Sequence, residues 1–299
     1  MLNKENPVEV IVDKQKCTKC GICMGYCHSY LEKDEEGFPR SMKLEESYYG
    51  CIQCGHCMMA CPSNAIEIKG EDIDKSHLRE LNTNLPDFNA LNALFLKRRS
   101  IRKFKDQEVP KEALDKIVQA AATAPLGLPP SELKVLIING KEKVEELLND
   151  MVKEMESAKK MVNPLTLSLL KLFSSNVEYK KLKDFILPLC DLTIKERKAG
   201  IDHLLYNAPA VMLIYSTELG MVQNSVIATT YATLAAETLG LGTCWIETFG
   251  ALFKNNKNLR EKYGILKGEK FIEGMILGYP DTHFNKAFQR NFKEVKYIN

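Results

Sequence analysis

Residues 17–27 read Cys17-Thr18-Lys19-Cys20-Gly21-Ile22-Cys23-Met24-Gly25-Tyr26-Cys27, and residues 51–62 repeat the pattern as Cys51-Ile52-Gln53-Cys54-Gly55-His56-Cys57-Met58-Met59-Ala60-Cys61-Pro62. Eight of the ten cysteines thus fall into two copies of Cys-x2-Cys-x2-Cys-x3-Cys. Three thiolates from one tight loop match the three irons of a cuboidal cluster that face the same stretch of backbone, and a fourth comes from farther away. This spacing points to two [4Fe-4S] clusters. Structural zinc usually takes two separated Cys-x2-Cys pairs and has no use for the third cysteine of each run. Disulfides would suit a secreted chain, yet no signal peptide is read at Met1 to Val10. Gly21, Gly25 and Gly55 lie between the ligands, where missing side chains let backbone N–H groups approach the sulfurs.

The repeat resembles the bacterial two-cluster ferredoxin module and covers about a quarter of the 299 residues. In such modules the fourth cysteine of each run ligates the other cluster. The resemblance therefore implies Cys17, Cys20, Cys23 and Cys61 around one cube, and Cys51, Cys54, Cys57 and Cys27 around the second. A module of about 70 residues has too little apolar surface to fold well unaided, so cluster ligation must supply much of its stability.

The chain is long enough for a second, larger domain with its own core. Hydrophobic content of 45% with 27% charge is ordinary for a globular protein, and no apolar run approaches a membrane span. A net charge of +2 hides an asymmetry: residues 1–80 hold 10 Lys+Arg against 14 Asp+Glu, and the remainder holds 31 against 25. An acidic electron carrier beside a basic domain would favour docking between them, although surface charges screen within ~8 Å at physiological salt. No basic stripe with interleaved aromatics suggests nucleic acid as a partner. Unpaired thiols together with oxygen-labile clusters point to a reducing cytoplasm and an anaerobic habit. Cys190 and Cys244, outside the runs, read as packed thiols.

Ile66-Glu67-Ile68 reads as a strand closing a domain of residues 1–70, and residues 71–87 read as a linker broken by Asn82, Asn84 and Pro86. In residues 88–299 a helix is predicted from Phe88 to Arg98, with Leu91, Leu94 and Phe95 on one face, and Pro110 opens another that buries Leu114, Ile117, Val118 and Ala121. Leu133 to Asn139 and Ala210 to Tyr215 carry continuous apolar runs, predicted as strands buried on both faces. Val222 to Leu239 reads as a small-faced central helix ended by Gly240 and Gly242, and Ala251 to Tyr263 as one helix stopped by Gly264. Phe271 to Leu277 reads as a last strand, which makes the domain α+β or α/β. Residues 141–200, rich in Lys, Leu and Met, read as a helical insert or lid of two or three amphipathic helices; packing in a dimer or on a membrane surface are the alternatives. A membrane is disfavoured for want of a strongly basic polar face with aromatic anchors.

Lys97-Arg98-Arg99-Ser100-Ile101-Arg102 concentrates guanidinium groups and a hydroxyl at a helix end, fit to hold a dianionic phosphate. From here the chain resembles the nitroreductase family of FMN flavoproteins. The resemblance rests on Arg98, Arg99, Ser100 and Arg102; on the turn Ala124-Pro125-Leu126-Gly127; on Leu239 to Ile246; and on Gly278-Tyr279-Pro280 with Arg290 in the basic tail. It implies a three-layer α/β/α sandwich, a homodimer with FMN at the subunit interface, and a polar C-terminal segment, Thr282 to Asn299, wrapped on the partner. It also implies FMN contacts from Arg98, Arg99, Ser100, Arg102, Pro125, Leu126, Gly127 and Arg290, and from Ile246, Glu247 and Thr248 near the flavin ring. The family usually continues its turn with Asn and then Gln-Pro-Trp, whereas Leu128-Pro129-Pro130-Ser131-Glu132 stands here, leaving backbone groups to hold the flavin at that point.

Joining the two halves gives an oxidoreductase in which clusters deliver single electrons and FMN returns them in pairs to an electron-poor small molecule, such as a nitro compound, quinone or activated alkene. An external low-potential donor such as ferredoxin would feed it. NAD(P)H is the alternative donor, although no Gly-x-Gly-x-x-Gly fingerprint is present. A non-catalytic electron carrier or redox sensor, docking a partner through its ferredoxin domain, is the reading from another class.

Overall fold

In the computed structural model, which describes residues 8–27, 29–70, 73–125, 127, 132–217 and 221–298, the chain separates into two units. One comprises residues 1–85 and 126–132, the other residues 86–125 and 133–299. Along the chain the break falls between residues 85 and 86.

In the first unit β1 (Glu9–Val12) pairs antiparallel with β4 (Ile66–Lys69), the strand expected to close the module. A second ribbon joins β2 (Leu31–Lys33) to β3 (Pro39–Ser41). Two short helices, α1 (Ile22–Tyr26) and α2 (His56–Met59), start inside the two cysteine runs. The core is small: Val8, Tyr30, Leu31, Met58, Ile66 and Ile68, with Cys23 and Cys57 among them. Thiols take the place of apolar filling, as expected where ligation carries stability.

The second unit is built on an antiparallel sheet with the order β5-β6-β8-β7. Its strands are β5 (Leu133–Asn139), β6 (Ala210–Ser216), β7 (Gly242–Trp245) and β8 (Lys270–Gly278). Every residue of β6 is buried. Alternation sends Val211, Leu213 and Tyr215 into one apolar cluster and Met212 and Ile214 to the opposite face.

On one side of the sheet lies α9 (Val222–Thr238), with α3 (Phe88–Lys97) and α4 (Lys111–Ala122) packed on it. Ala228, Ala232 and Ala236 let α9 come close to the strands, and it ends at Gly240 with φ +74°. On the other side lie α5 (Lys141–Lys160) and α10 (Thr248–Asn255). The result is helix, sheet, helix.

Three expectations are corrected. First, β5 is an edge strand, bonded among the described residues only to β6; of its own residues only Ile138 is buried, and Val135 is 37% exposed. An apolar run reports the affinity of a strand for cover, not the number of neighbours that provide it.

Second, α5 does not stand apart as part of an insert. Val144, Leu147, Leu148, Met151, Val152 and Met155 enter the main core. The insert proper is α6 (Pro164–Phe173), α7 (Asn176–Lys181), a single π-type turn at Leu182–Ile186, and α8 (Leu187–Lys198).

Third, the helix expected from Ala251 to Tyr263 is two. Asn256 leaves helical geometry (φ −99°, ψ 101°) and its side chain accepts from Leu259 N (2.8 Å), capping α11 (Lys257–Lys262).

Candidate functional site

The two cysteine loops have the same backbone. Lys19 and Gln53 lie at φ +56° and +54°, and Gly21 and Gly55 at +77° and +72°, each glycine opening a short helix. Exposure repeats as well: Cys20 and Cys54 are exposed, Cys23 and Cys57 buried, and Cys17, Cys51, Cys27 and Cys61 intermediate. An L side chain pays about 1–2 kcal/mol in the left-handed region, which explains why glycine follows the second cysteine of each run.

The thiols gather in two sets. Burial raises the Cys23 thiol, and the thiols of Cys61, Cys17 and Cys20 lie close enough to add to that rise. Burial pushes Cys57 up to about 12, with Cys27, Cys51 and Cys54 adding. Cys51 is pushed up to about 11 by burial, opposed by the Gln53 N–H and helped by Cys27 and Cys54. The last cysteine of each run therefore sits with the other run.

Cys61 behaves differently: burial would raise it, but donation from Ala65 N (3.2 Å) and from Ser63 lowers it overall. N–H donors to sulfur fit a thiolate ligand. Among the described residues no three His, Cys, Asp or Glu converge on a single-ion position. Four sulfurs around zinc would stand about 3.8 Å apart, given Zn–S of about 2.3 Å, whereas a cube holds its thiolates wider.

In the second unit the basic segment leaves α3 and runs along the sheet edge. Arg98 ends the helix, its N–H donating to Leu94 O. Ser100 bridges in parallel to Thr243 on β7, Ile101 N donates to Thr243 O (2.9 Å), and Lys105 N donates to Tyr279 O (2.8 Å). Ile101 is buried against Gly242, where a Cβ would fall 2.4 Å from Ile101 Cγ1. This explains a glycine inside a strand.

The segment so fixed lines an open cleft with Arg98, Arg99, Ser100 and Arg102, and Arg290 of the C-terminal segment reaches the same cleft. None of these four arginines forms an ion pair among the described residues; the nearby Lys97 pairs with Glu237 (3.2 Å). Arg102 lies over the Tyr206 ring at 5.8 Å. Arg99 Nη1 donates to Arg98 O (3.0 Å), while its Nη2 is buried without a partner. An orphaned guanidinium N–H beside uncompensated positive charge suits a phosphate acceptor.

Not every expected residue joins that cleft. Pro125 is exposed just past α4, Gly127 belongs to the first unit, and Leu126 lies outside the described residues, as do Leu128 to Ser131 of the departure. Ile246, Glu247 and Thr248 follow β7 instead. Ile246 is buried with its N–H on Gly274 O (2.9 Å), Glu247 is exposed at the start of α10, and Thr248 is half-buried. Beside them Trp245 Nε1 donates to Glu273 (2.9 Å). Burial, with Glu247 adding, raises Glu273 above the ordinary carboxylate range despite that bond.

Sequence reasoning missed Asn92, Phe284, Phe288 and Gln289, which also line the arginine cleft. The fourfold spacing of Phe284 and Phe288 was the available signal.

The profile of the nitroreductase family matches residues 96–279. That of the 4Fe-4S dicluster domain matches residues 11–66. The FMN reductase [NAD(P)H] of Bacillus subtilis (strain 168) is 26% identical over 185 residues, 61% of this chain and 62% of its own length, so the match spans less than two thirds of that relative. An uncharacterised ferredoxin of Methanocaldococcus jannaschii is 40% identical over 65 residues, 21% of this chain and 79% of its own. A nitroreductase with bound FMN from Bacteroides fragilis NCTC 9343 has the same fold, with 18% identity, a TM-score of 0.50, and coverage of 70% of this chain and 98% of that one. With the cysteine loops of one unit and the helix–sheet–helix architecture of the other, these matches show that the chain belongs to the nitroreductase family and carries an N-terminal 4Fe-4S dicluster ferredoxin domain.

Proposed function

We propose that the protein is an FMN-dependent oxidoreductase in which two [4Fe-4S] clusters relay single electrons from an external low-potential donor such as ferredoxin, for reduction of an electron-poor small molecule by the flavin. The observation that carries this reading is the presence, in one chain, of two crossed sets of four thiols and a cleft of unpaired arginines with an orphaned buried N–H. FMN, when bound, supplies conversion between one-electron and two-electron transfer.

Arg98, Arg99, Ser100, Arg102 and Arg290 would hold its phosphate, Arg99 Nη2 gaining the acceptor it lacks. Pro125, Leu126, Gly127, Ile246, Glu247 and Thr248 are assigned to the flavin by family resemblance. Substrate would be a nitro compound, quinone or activated alkene, and the working form a cytoplasmic homodimer with the cofactor at its interface. The uncovered apolar face of α3 (Phe88, Leu91, Phe95) and the exposed Phe284, Phe288 and Phe292 of the C-terminal segment support that assembly.

Anaerobically purified protein should show flavin absorbance that bleaches with reduced ferredoxin. Failure to bind FMN would remove the enzyme reading. A second reading, with NAD(P)H as donor, is favoured by the name of the Bacillus subtilis relative. Steady-state rates with each donor separate the two.

A further inference from the structure

The insert after α5 exposes more apolar surface than the rest of its unit explains. α6 carries one charge, Lys171, and leaves Leu165 71%, Leu172 78% and Phe173 87% exposed. The apolar surface continues through Val177 (77%) and Phe185 (60%). α6 is nevertheless a well-formed helix: Asn163 Oδ1 accepts from Leu165 N and Thr166 N (3.0 Å each), and Asn163 N donates to Thr166 Oγ1 (2.8 Å). α7 packs on it and opens with its own reciprocal cap between Ser175 and Glu178.

The polar part of this surface is cationic. Residues 160–185 hold Lys160, Lys171, Lys180, Lys181 and Lys183 against two acids, Asp184 and Glu178, the latter occupied by the Ser175 cap. None of the five lysines has an ion-pair partner among the described residues. Sequence reasoning set a membrane aside for lack of a basic face with aromatic anchors. Folded, the insert has both: α7, with Lys180 and Lys181 in its last turn, packs on the apolar helix α6, and Phe173 and Phe185 are exposed.

We infer that this insert is a peripheral docking face for a bilayer containing anionic lipids. At ten residues α6 is about 15 Å long, half a hydrocarbon core of roughly 30 Å, so it can lie in the interface but not span it. No helix among the described residues is long and apolar enough to cross. A second copy is the rival occupant, and charge argues against it. A two-fold contact centred on this patch would set it against its own copy, placing its five lysines opposite five more. Lipid phosphates and carboxylates neutralise the same lysines while the acyl boundary takes up Leu172 and Phe173.

The test is flotation of the anaerobically prepared full-length protein with vesicles of phosphatidylcholine alone and of phosphatidylcholine mixed with phosphatidylserine. Binding is expected to the mixed vesicles only, weakening with salt. Lys180→Gln with Lys181→Gln should lower partitioning about five-fold per lysine. Leu172→Gln with Phe173→Gln should abolish binding while the circular dichroism and cluster absorbance stay unchanged. Absence of binding, equal binding to both vesicle types, or binding indifferent to both double variants would overturn the inference. So would a light-scattering dimer that L172Q/F173Q dissociates without any vesicle binding, which assigns the face to a second copy. The outcome does not depend on FMN.

Discussion

Gly242→Ala tests whether the basic segment is held in place by its contact with β7. An added Cβ would meet Ile101 Cγ1 at 2.4 Å, Cβ at 2.8 Å and Cγ2 at 3.0 Å. These atoms are close to the Ile101 backbone, whose N–H is tied to Thr243 O at 2.9 Å, so the side chain cannot simply swing aside. Either the sheet edge takes the strain, at about 1–3 kcal/mol for overpacking, or the segment from Arg98 to Arg102 moves off β7. On the proposed function the second route should weaken FMN binding, by about 5- to 150-fold if that energy falls on the bound form.

The assay is fluorescence titration of FMN into apoprotein, with thermal melts alongside. Ile101→Ala removes two of the three clashing atoms, Cγ1 and Cγ2. Alone it should cost about 2–5 kcal/mol of stability as a buried truncation. In the double variant the two losses should fall short of their sum by about 1 kcal/mol or more, because the clash and the cavity cancel in part. Strict additivity, or FMN affinity unchanged by G242A, would refute the idea that this contact positions the arginines.

Cys61→Ser and Cys27→Ser should each remove a different cluster, so iron analysis should fall from about eight to about four per chain in both, with distinct electron paramagnetic resonance spectra remaining. Gly55→Ala should speed chelator-driven cluster loss more than Gly21→Ala. Both positions have positive φ, but only at Gly55 does the new Cβ also meet a side chain closely, Ile73 Cδ1 at 2.9 Å, against Met24 Cε at 3.8 Å for Gly21. Glu273 has a folded pKa raised above its ordinary 4.5, so protonation favours the folded state. That contribution is complete below the ordinary value and lost as pH rises through the folded one. Glu273→Gln keeps an acceptor for Trp245 Nε1, so it should melt higher than wild type at pH 7 and no higher at pH 4; the reverse order would contradict the assigned burial.

Much of the site was legible because its chemistry depends on residues close together in the chain. A cysteine loop is a local object: the spacing from Cys17 to Cys23 and from Cys51 to Cys57 sets three thiols around one centre, and Gly21 and Gly55 occur where the backbone turns left-handed. The arginine run was visible for the same reason, as a helix end whose charges lie within five residues. The break at Asn256 was misread because an Asn is compatible with helix interior and helix cap alike, and only its bond to Leu259 N selects the cap.

Composition and spacing alone determined that this chain holds two cysteine repeats, an α+β partner and a phosphate-seeking basic segment, since each follows from short-range covalent geometry or periodicity. Contacts between distant segments decided the rest: that β5 lies at an edge, that α5 is core, and that Arg290 lines one cleft with Arg98 to Arg102. A side-chain pattern states what a segment can bury or bind. Which surface receives it is set by the packing of elements far apart in sequence, whose pairing energies no local window contains.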